Sequence, residues 1–321
     1  MNILITGGAG FLGQRLARRL LERGTLLGKP ITGLTLLDVV RPPDLGDKRV
    51  RAETGDIADR SVLERCIGAD THAIFHLAAI VSGQAEADFE LGMRINLDAS
   101  RLLLDVCRSL GHAPRVLFTS SVAVYGGTLP DIVRDDTALN PKSSYGTQKA
   151  IAELLLCDYS RRGFVDGRVL RLPTISVRPG RPNAAASSFA SGIIREPLNG
   201  ERAVCPVGGD VRLWLLSPKQ AIESLIAGCE LEQAELGTWP VVNMPGLSVS
   251  VTEMVDALKE VAGEEVAALI DWQPDPKIEK IVGSWPGAWE TQRGEKLGLA
   301  ADHNFSDVIR AFIEESKPGG A

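Results

Sequence analysis

The stretch ILITGGAGFLGQRLARRL, residues 3–20, sets Gly7, Gly10 and Gly13 between an apolar run and an amphipathic one. The first glycine allows a tight turn. The second lets a pyrophosphate approach the backbone, and the third lets helix and strand pack closely. A helix that starts here offers free N–H groups and a positive dipole end to phosphates, with Phe11 and Leu12 bordering them. Glycines also serve ordinary turns. This triplet, however, follows the first predicted strand and opens the first predicted helix, the context of a dinucleotide-binding loop.

Outward from that loop, short apolar runs alternate with helix-like segments. LTLLDVV, HAIFHLAA, RVLFTSS and GRVLRLPTI read as buried strands. DRSVLERCIG, ADFELGMRINLDASRLLLDVCRSLG and SSYGTQKAIAELLLCDYSRRG read as helices between them. Repeated βαβ units imply a parallel sheet with helices on both faces. The fold class is α/β, a Rossmann-type doubly wound parallel sheet, expected over residues 1–173. From residue 174 the texture turns Pro-, Gly- and Ser-rich, and a smaller C-terminal substrate-binding lobe is expected over 174–321. VTEMVDALKEVAG reads as a helix capped by Ser250, and a strand near 239–245 returns to the main sheet.

Composition narrows the function. The 321 residues suffice for a large core, and 44% hydrophobic with 24% charged is ordinary for a globular protein. A net charge of -6 argues against a nucleic-acid partner. No apolar run approaches the length that spans a bilayer, and no basic leader precedes NILIT. The five cysteines form no CxxC pair and the four histidines show no metal-ligand spacing. Reduced thiols, no metal site and a cytoplasmic location are therefore expected.

Asp38 ends the second main strand. An acid there accepts the adenosine ribose hydroxyls and repels a 2′-phosphate, which favours NAD. Its distance from Gly13 is 38 − 13 = 25 residues, against a usual spacing of about 20. Arg41 is near enough to leave NADP as an alternative. Asp56 and Ile57 are placed to flank the adenine, though Asp56 would equally cap the helix that follows.

Tyr145 and Lys149, in SSYGTQKA, stand four apart and share a helix face. A free phenol titrates near about 10, so it is a poor base at neutral pH. A nearby ammonium would lower that value toward the working range. Ser120 and Ser121 lie at the carboxyl end of a predicted strand, where open α/β sheets bind ligands.

Together, TGGAGFLG, LLD, GDI, HLAA, Asn96–Leu97, SSVAVYG, YGTQK and RLPTI resemble the extended short-chain dehydrogenase/reductase superfamily, which includes the NAD-dependent epimerases and dehydratases. The resemblance implies Tyr145 as general acid/base, Lys149 as its tuning cation and nicotinamide-ribose ligand, and Ser121 as the substrate-orienting hydroxyl. It also implies that Asn96 supports the active-site helix beside the cofactor. Leu77, Ala78 and Ala79 would border the cofactor, and the backbone after Pro173 would face the nicotinamide. Val122–Ala123 stand where dehydratases carry an acidic pair, so dehydration is not expected.

TISVRPGRPNAAASSF, RLWLLSP and SWPGAW are similar to a smaller group, the D-erythronate dehydrogenases. That similarity implies oxidation of the 2-hydroxyl of a small sugar acid with NAD. A carboxylate substrate calls for an arginine, and Arg178, Arg181 and Arg212 are the candidates. Ser82 and Asn183 are candidates for its hydroxyls, while Trp214 reads as core. A nucleotide-sugar 4-epimerase is the rival reading, and a non-catalytic dinucleotide sensor the rival of another class. The superfamily resemblance also implies a homodimer through a four-helix interface, from segments near 90–109 and 145–162.

Overall fold

The apolar run before the glycines forms β1, Asn2–Thr6, with all but its first residue buried. The other strands of its sheet are β2 (Gly33–Asp38), β3 (Val50–Thr54), β4 (Thr71–His76), β5 (Arg115–Ser121), β6 (Asp166–Leu172) and β7 (Val241–Asn243). A computed structural model describes residues 1–180 and 186–316 of the chain. The seven strands are all parallel, in the order β3-β2-β1-β4-β5-β6-β7. This is a doubly wound Rossmann-type sheet, and its order reverses between β1 and β4, the place where such sheets bind ligands.

Parallel strands are covered on both faces, and side chains alternate accordingly. Ile3 and Ile5 join a core with Leu16 and Leu20 of α1 (Phe11–Arg23), and with Ile222 and Leu225 of Pro218–Glu230. Leu4 points the other way, to a core with Leu63 of α2 (Arg60–Cys66), Leu103 of α3 (Ala99–Leu110) and Leu156 of α4 (Ser144–Arg161). The chain after residue 174 thus does not stay in one lobe. It sends β7 and Pro218–Glu230 back to the main sheet, because the face beside α1 must also be covered. Arg19 pairs with Glu223 at 2.6 Å across that seam.

The rest of the second half has its own core. α5 (Phe189–Leu198), α6 (the Pro218–Glu230 helix) and α7 (Val251–Ala262) follow in order, with α8 (Phe305–Ser316) last. Ile193, Leu213, Leu215, Met254, Leu258 and Ile309 fill this core. Ser250 caps α7 in a capping box with Glu253. Trp214 is 7% exposed and donates its indole N–H to Met244 O at 3.3 Å, a core side chain. The long helix expected over 87–111 runs without a gap from Phe89 to Leu110, widening into a π-helical turn at Met93–Asp98 before α3, and the short helix Ser82–Ala87 precedes it. Among the described residues, no helix is long and apolar enough to cross a membrane, and no group of acidic, cysteine and histidine side chains could hold a metal.

The glycine loop leaves no slack. A Cβ on Gly13 would lie 2.2 Å from Gly7 O and 3.0 Å from Gly8 Cα, all backbone that cannot yield cheaply. Gly13→Ala should therefore cost about 1–3 kcal/mol, as overpacking does. Thermal denaturation would read this as a lowered Tm. An unchanged Tm would show that loop and helix have room to separate.

Candidate active site

A cleft of about 610 Å³ runs along the carboxyl ends of the strands. Gly7, Gly10, Phe11, Leu12 and Gly13 line it from the loop. Asp38, Asp56 and Ile57 line one end, and Leu77, Ala78 and Ala79 the middle. Ser82, Ser121, Tyr145, Lys149, Pro173 and Arg178 line the other end. The sheet thus brings together residues that lie as far apart as 7 and 178 in the chain.

At the first end, both oxygens of Asp38 are fixed by backbone. Oδ2 accepts from Ala9 N at 3.0 Å and Oδ1 from Val40 N at 3.2 Å. Asp56 accepts from Ala58 N at 2.8 Å and pairs with Arg94 at 2.6 Å. Burial works against its charge, yet the Ala58 N–H and the Arg94 guanidinium hold its carboxyl below the usual range. The cap of α2 is not Asp56 but Asp59, which accepts from Ser61 N. Arg41 is exposed and does not line the cleft.

The middle wall hangs on a buried histidine. Ser100 Oγ donates to Asn96 O at 2.8 Å, so it must accept from His76 Nε2 at 2.9 Å. The ring is then the Nε2–H tautomer, and Nδ1 accepts from Thr6 Oγ1 at 2.7 Å. Thr6 Oγ1 in turn accepts from Ala78 N at 3.3 Å. Burial, and behind it the charge of Lys149, pulls the imidazole down to about 3, so it stays neutral. Asn96, expected at the cofactor, is buried behind the cleft wall. Its Oδ1 accepts from Ile80 N at 2.7 Å, and its Nδ2 donates to Ile80 O and Gln148 Oε1. It ties the cleft wall to the helix of Tyr145.

At the other end, Ser143 caps α4 by accepting from Gly146 N at 3.1 Å. A Cβ on Gly146 would meet Ala123 O at 2.1 Å, so α4 lies hard against the turn after β5. That approach sets Tyr145 beside Ser121. Ser121 Oγ accepts from Ala123 N at 3.1 Å, and its hydroxyl acts on the Tyr145 phenol. Burial pushes that phenol up to about 12, while Ser121 and the Arg178 charge oppose the rise. Lys149 is buried, donates to Thr119 O at 2.9 Å and lies 5.7 Å from the Tyr145 ring centroid. Burial pulls its ammonium down to about 7, against the pull of Glu153. The sequence points to the Lys149 ammonium as a group that depresses the phenol. In the structure Ser121 and the Arg178 charge also hold it down, while Lys149 Nζ stands 5.7 Å from its ring centroid and donates to the Thr119 carbonyl.

Arg212 also departs from expectation. It is exposed, donates to Ser248 O at 3.0 Å and pairs with Glu253 at 3.3 Å, away from the cleft. A residue at the start of a strand, with an acid opposite, is drawn outward. Asn183 and Arg181 lie outside the described residues. Sequence reasoning missed Thr6, His76, Gln148 and the cleft-lining Trp285. HLAA and SWPGAW carried the signal for His76 and Trp285, but spacing alone does not say which way a side chain points.

A dinucleotide fits this donor set. A Cβ on Gly7 would sit 2.9 Å from Ala78 N, so the cradle is bare backbone. Ser120 Oγ lines the cleft, buried and without a protein partner among the described residues. A hydroxyl and a phenol at the nicotinamide end can hold and move the proton of a substrate alcohol.

Comparison with known proteins agrees with this geometry. The model of the NAD dependent epimerase/dehydratase family matches residues 3–216. A protein of Cupriavidus necator named D-erythronate dehydrogenase is 64% identical over 98% of this chain and 99% of its own. A protein of the same name from Haemophilus influenzae is 48% identical over 98% and 99%. A crystal structure titled as a nucleoside-diphosphate-sugar epimerase of Agrobacterium tumefaciens superposes with a TM-score of 0.95, at 46% identity over 100% of this chain and 95% of that one. The chain belongs to the NAD dependent epimerase/dehydratase family.

Proposed function

We propose that this chain is an NAD-dependent dehydrogenase of a small sugar acid, oxidising the 2-hydroxyl of D-erythronate to 2-oxo-tetronate. The observation that carries the reading is Arg178. In a 2-hydroxy acid the carboxylate is bonded to the reacting carbon, so its anchor must stand beside the acid/base group. Arg178 lines the catalytic end of the cleft, and its charge acts on Tyr145. Among the described lining residues the other arginine is Arg94, which is paired with Asp56 at the far end. The likeness to two proteins named for D-erythronate supports the same choice.

In this reading Arg178 holds the substrate carboxylate, with Ser82 at a further hydroxyl. Ser121 and Tyr145 hydrogen-bond the hydroxyl to be oxidised; Tyr145 first loses its own proton to solvent, under the positive charges of Lys149 and Arg178, and as the phenolate takes the proton of the substrate hydroxyl. Lys149 holds the nicotinamide ribose and adds positive charge as the phenolate forms. Asp38 holds the adenosine ribose and disfavours a 2′-phosphate, which selects NAD over NADP. The dinucleotide, when bound, accepts the hydride; the protein supplies alignment and electrostatics.

The epimerase reading draws on the likeness to the Agrobacterium structure, which is named for that activity. The two part cleanly in one assay. With D-erythronate, NADH should accumulate, faster from NAD than NADH's counterpart forms from NADP, and Tyr145→Phe should lower kcat about 10²–10⁴-fold. No NADH with any aldonate, together with interconversion of a UDP-sugar, would make the chain an epimerase. Arg178→Met should raise the KM for the acid about 10–100-fold, the loss of a charged hydrogen-bonding partner. An unchanged KM would remove Arg178 as the anchor.

We also infer a homodimer. Phe89, Ile151 and Leu154 are exposed large apolar side chains on the segment leading to α3 and on α4. Leu154→Glu should halve the mass measured by light scattering; a wild-type protein that is already monomeric would overturn the inference.

A further inference from the structure

Glu153 lies one turn beyond Lys149 on α4, on the same face, and is fully buried. Both its oxygens are held by Arg171 of β6: Nε to Oε1 at 2.9 Å and Nη2 to Oε2 at 2.7 Å. Arg171, itself 3% exposed, also donates to Tyr125 OH at 2.6 Å and to Asn243 Oδ1 at 3.3 Å. Tyr125 OH donates to Asn243 Oδ1 at 3.1 Å, and Asn243 Nδ2 reaches Asp135 at 3.3 Å. A carboxylate buried this deeply stays ionised only if its partner is charged and in good geometry.

We propose that Arg171 and Glu153 are positioning residues for Lys149: Arg171 fixes the Glu153 carboxylate one turn from Lys149 on the same helix face, and that negative charge supports the lysine ammonium. The proposal rests on the dinucleotide reading of the cleft, in which that ammonium holds the nicotinamide ribose. Its logic is electrostatic. Burial alone removes charge from Lys149, and Glu153 is the group that opposes this. The other ionisable groups packed around the lysine do not supply an anion. Tyr145 on its own helix is held protonated, and burial likewise pushes the Cys157 thiol up. His76 of β4 is neutral, Tyr125 after β5 is pushed up by burial, and Arg171 and Arg178 are cations. From β5 come only the Thr119 carbonyl and the Phe118 ring, 4.5 Å from Nζ.

The sign follows. An anion beside a lysine holds its proton to higher pH. Removing the anion moves the loss of ammonium, and of whatever it binds, to lower pH.

NADH fluorescence titrations from mildly acidic to alkaline pH test this without requiring turnover. Glu153→Gln should move the midpoint at which NADH affinity is lost down by about one pH unit. The double variant Glu153→Gln/Arg171→Met replaces the pair with a neutral one and should move it the same way, whatever its Tm. Arg171→Lys keeps both charges and should leave the midpoint in place even if its Tm falls. A midpoint that follows Tm across the three variants, or does not move in the first two, would overturn the proposal and leave the pair as a structural brace. Failure of the wild-type protein to bind NADH at any pH would overturn the dinucleotide reading itself, and this inference with it.

Discussion

Helix α4 lies so close to the end of β5 that no side chain fits at residue 146. Much of the cleft follows from that contact. It sets Tyr145 near enough to Ser121 for that hydroxyl to act on the phenol. It also drives Lys149 inward to the Thr119 carbonyl, where burial weakens its hold on a proton. The helix is pinned at its start by Ser143 and at its middle by Glu153 on Arg171. Gln148, accepting from Asn96, joins it to the opposite wall.

The parallel sheet does the rest. All seven strands point the same way, so their carboxyl ends share one edge. The glycine loop, Asp38, His76 and Ser121 are all found at that edge, or just past it. The wall between them is held by neutral hydrogen bonds: Thr6, His76 and Ser100 pass a fixed set of donors and acceptors from Ala78 to Asn96. Such a chain holds geometry without placing a charge next to the nicotinamide end. The charges there are Lys149 and Arg178, the groups proposed to hold the ribose and the carboxylate.

The periodic parts of the chain were legible from sequence. Ile3, Leu4 and Ile5 announce a strand buried on both faces, and Gly7, Gly10 and Gly13 announce the turn that follows it. Tyr145 and Lys149 share a face because a helix repeats every 3.6 residues. What spacing does not carry is direction across distance. Nothing near Arg212 in the chain says that Glu253 and the Ser248 carbonyl will draw it outward. Spacing near Asn96 does not say that its side chain will hold Ile80 and Gln148, although the family resemblance gave it the support of the active-site helix. The helix α6 was similarly hidden, because its cover of the α1 face depends on a chain return that local pattern does not encode. Glu153 was the exception. It stands at the next i+4 position after Lys149, and the rule that paired the tyrosine with the lysine reaches it too.

If this protein is a sugar-acid 2-dehydrogenase, hydride leaves the carbon that bears the 2-hydroxyl. Deuterium transfer tests this: D-erythronate labelled at C2 is mixed with NAD and the protein, and the nicotinamide product is read by NMR. NADH carrying the label at C4, with 2-oxo-tetronate formed in equal amount, is the expected result. Unlabelled NADH would place the oxidation at another carbon, and no reduced nicotinamide at all would contradict the proposed function.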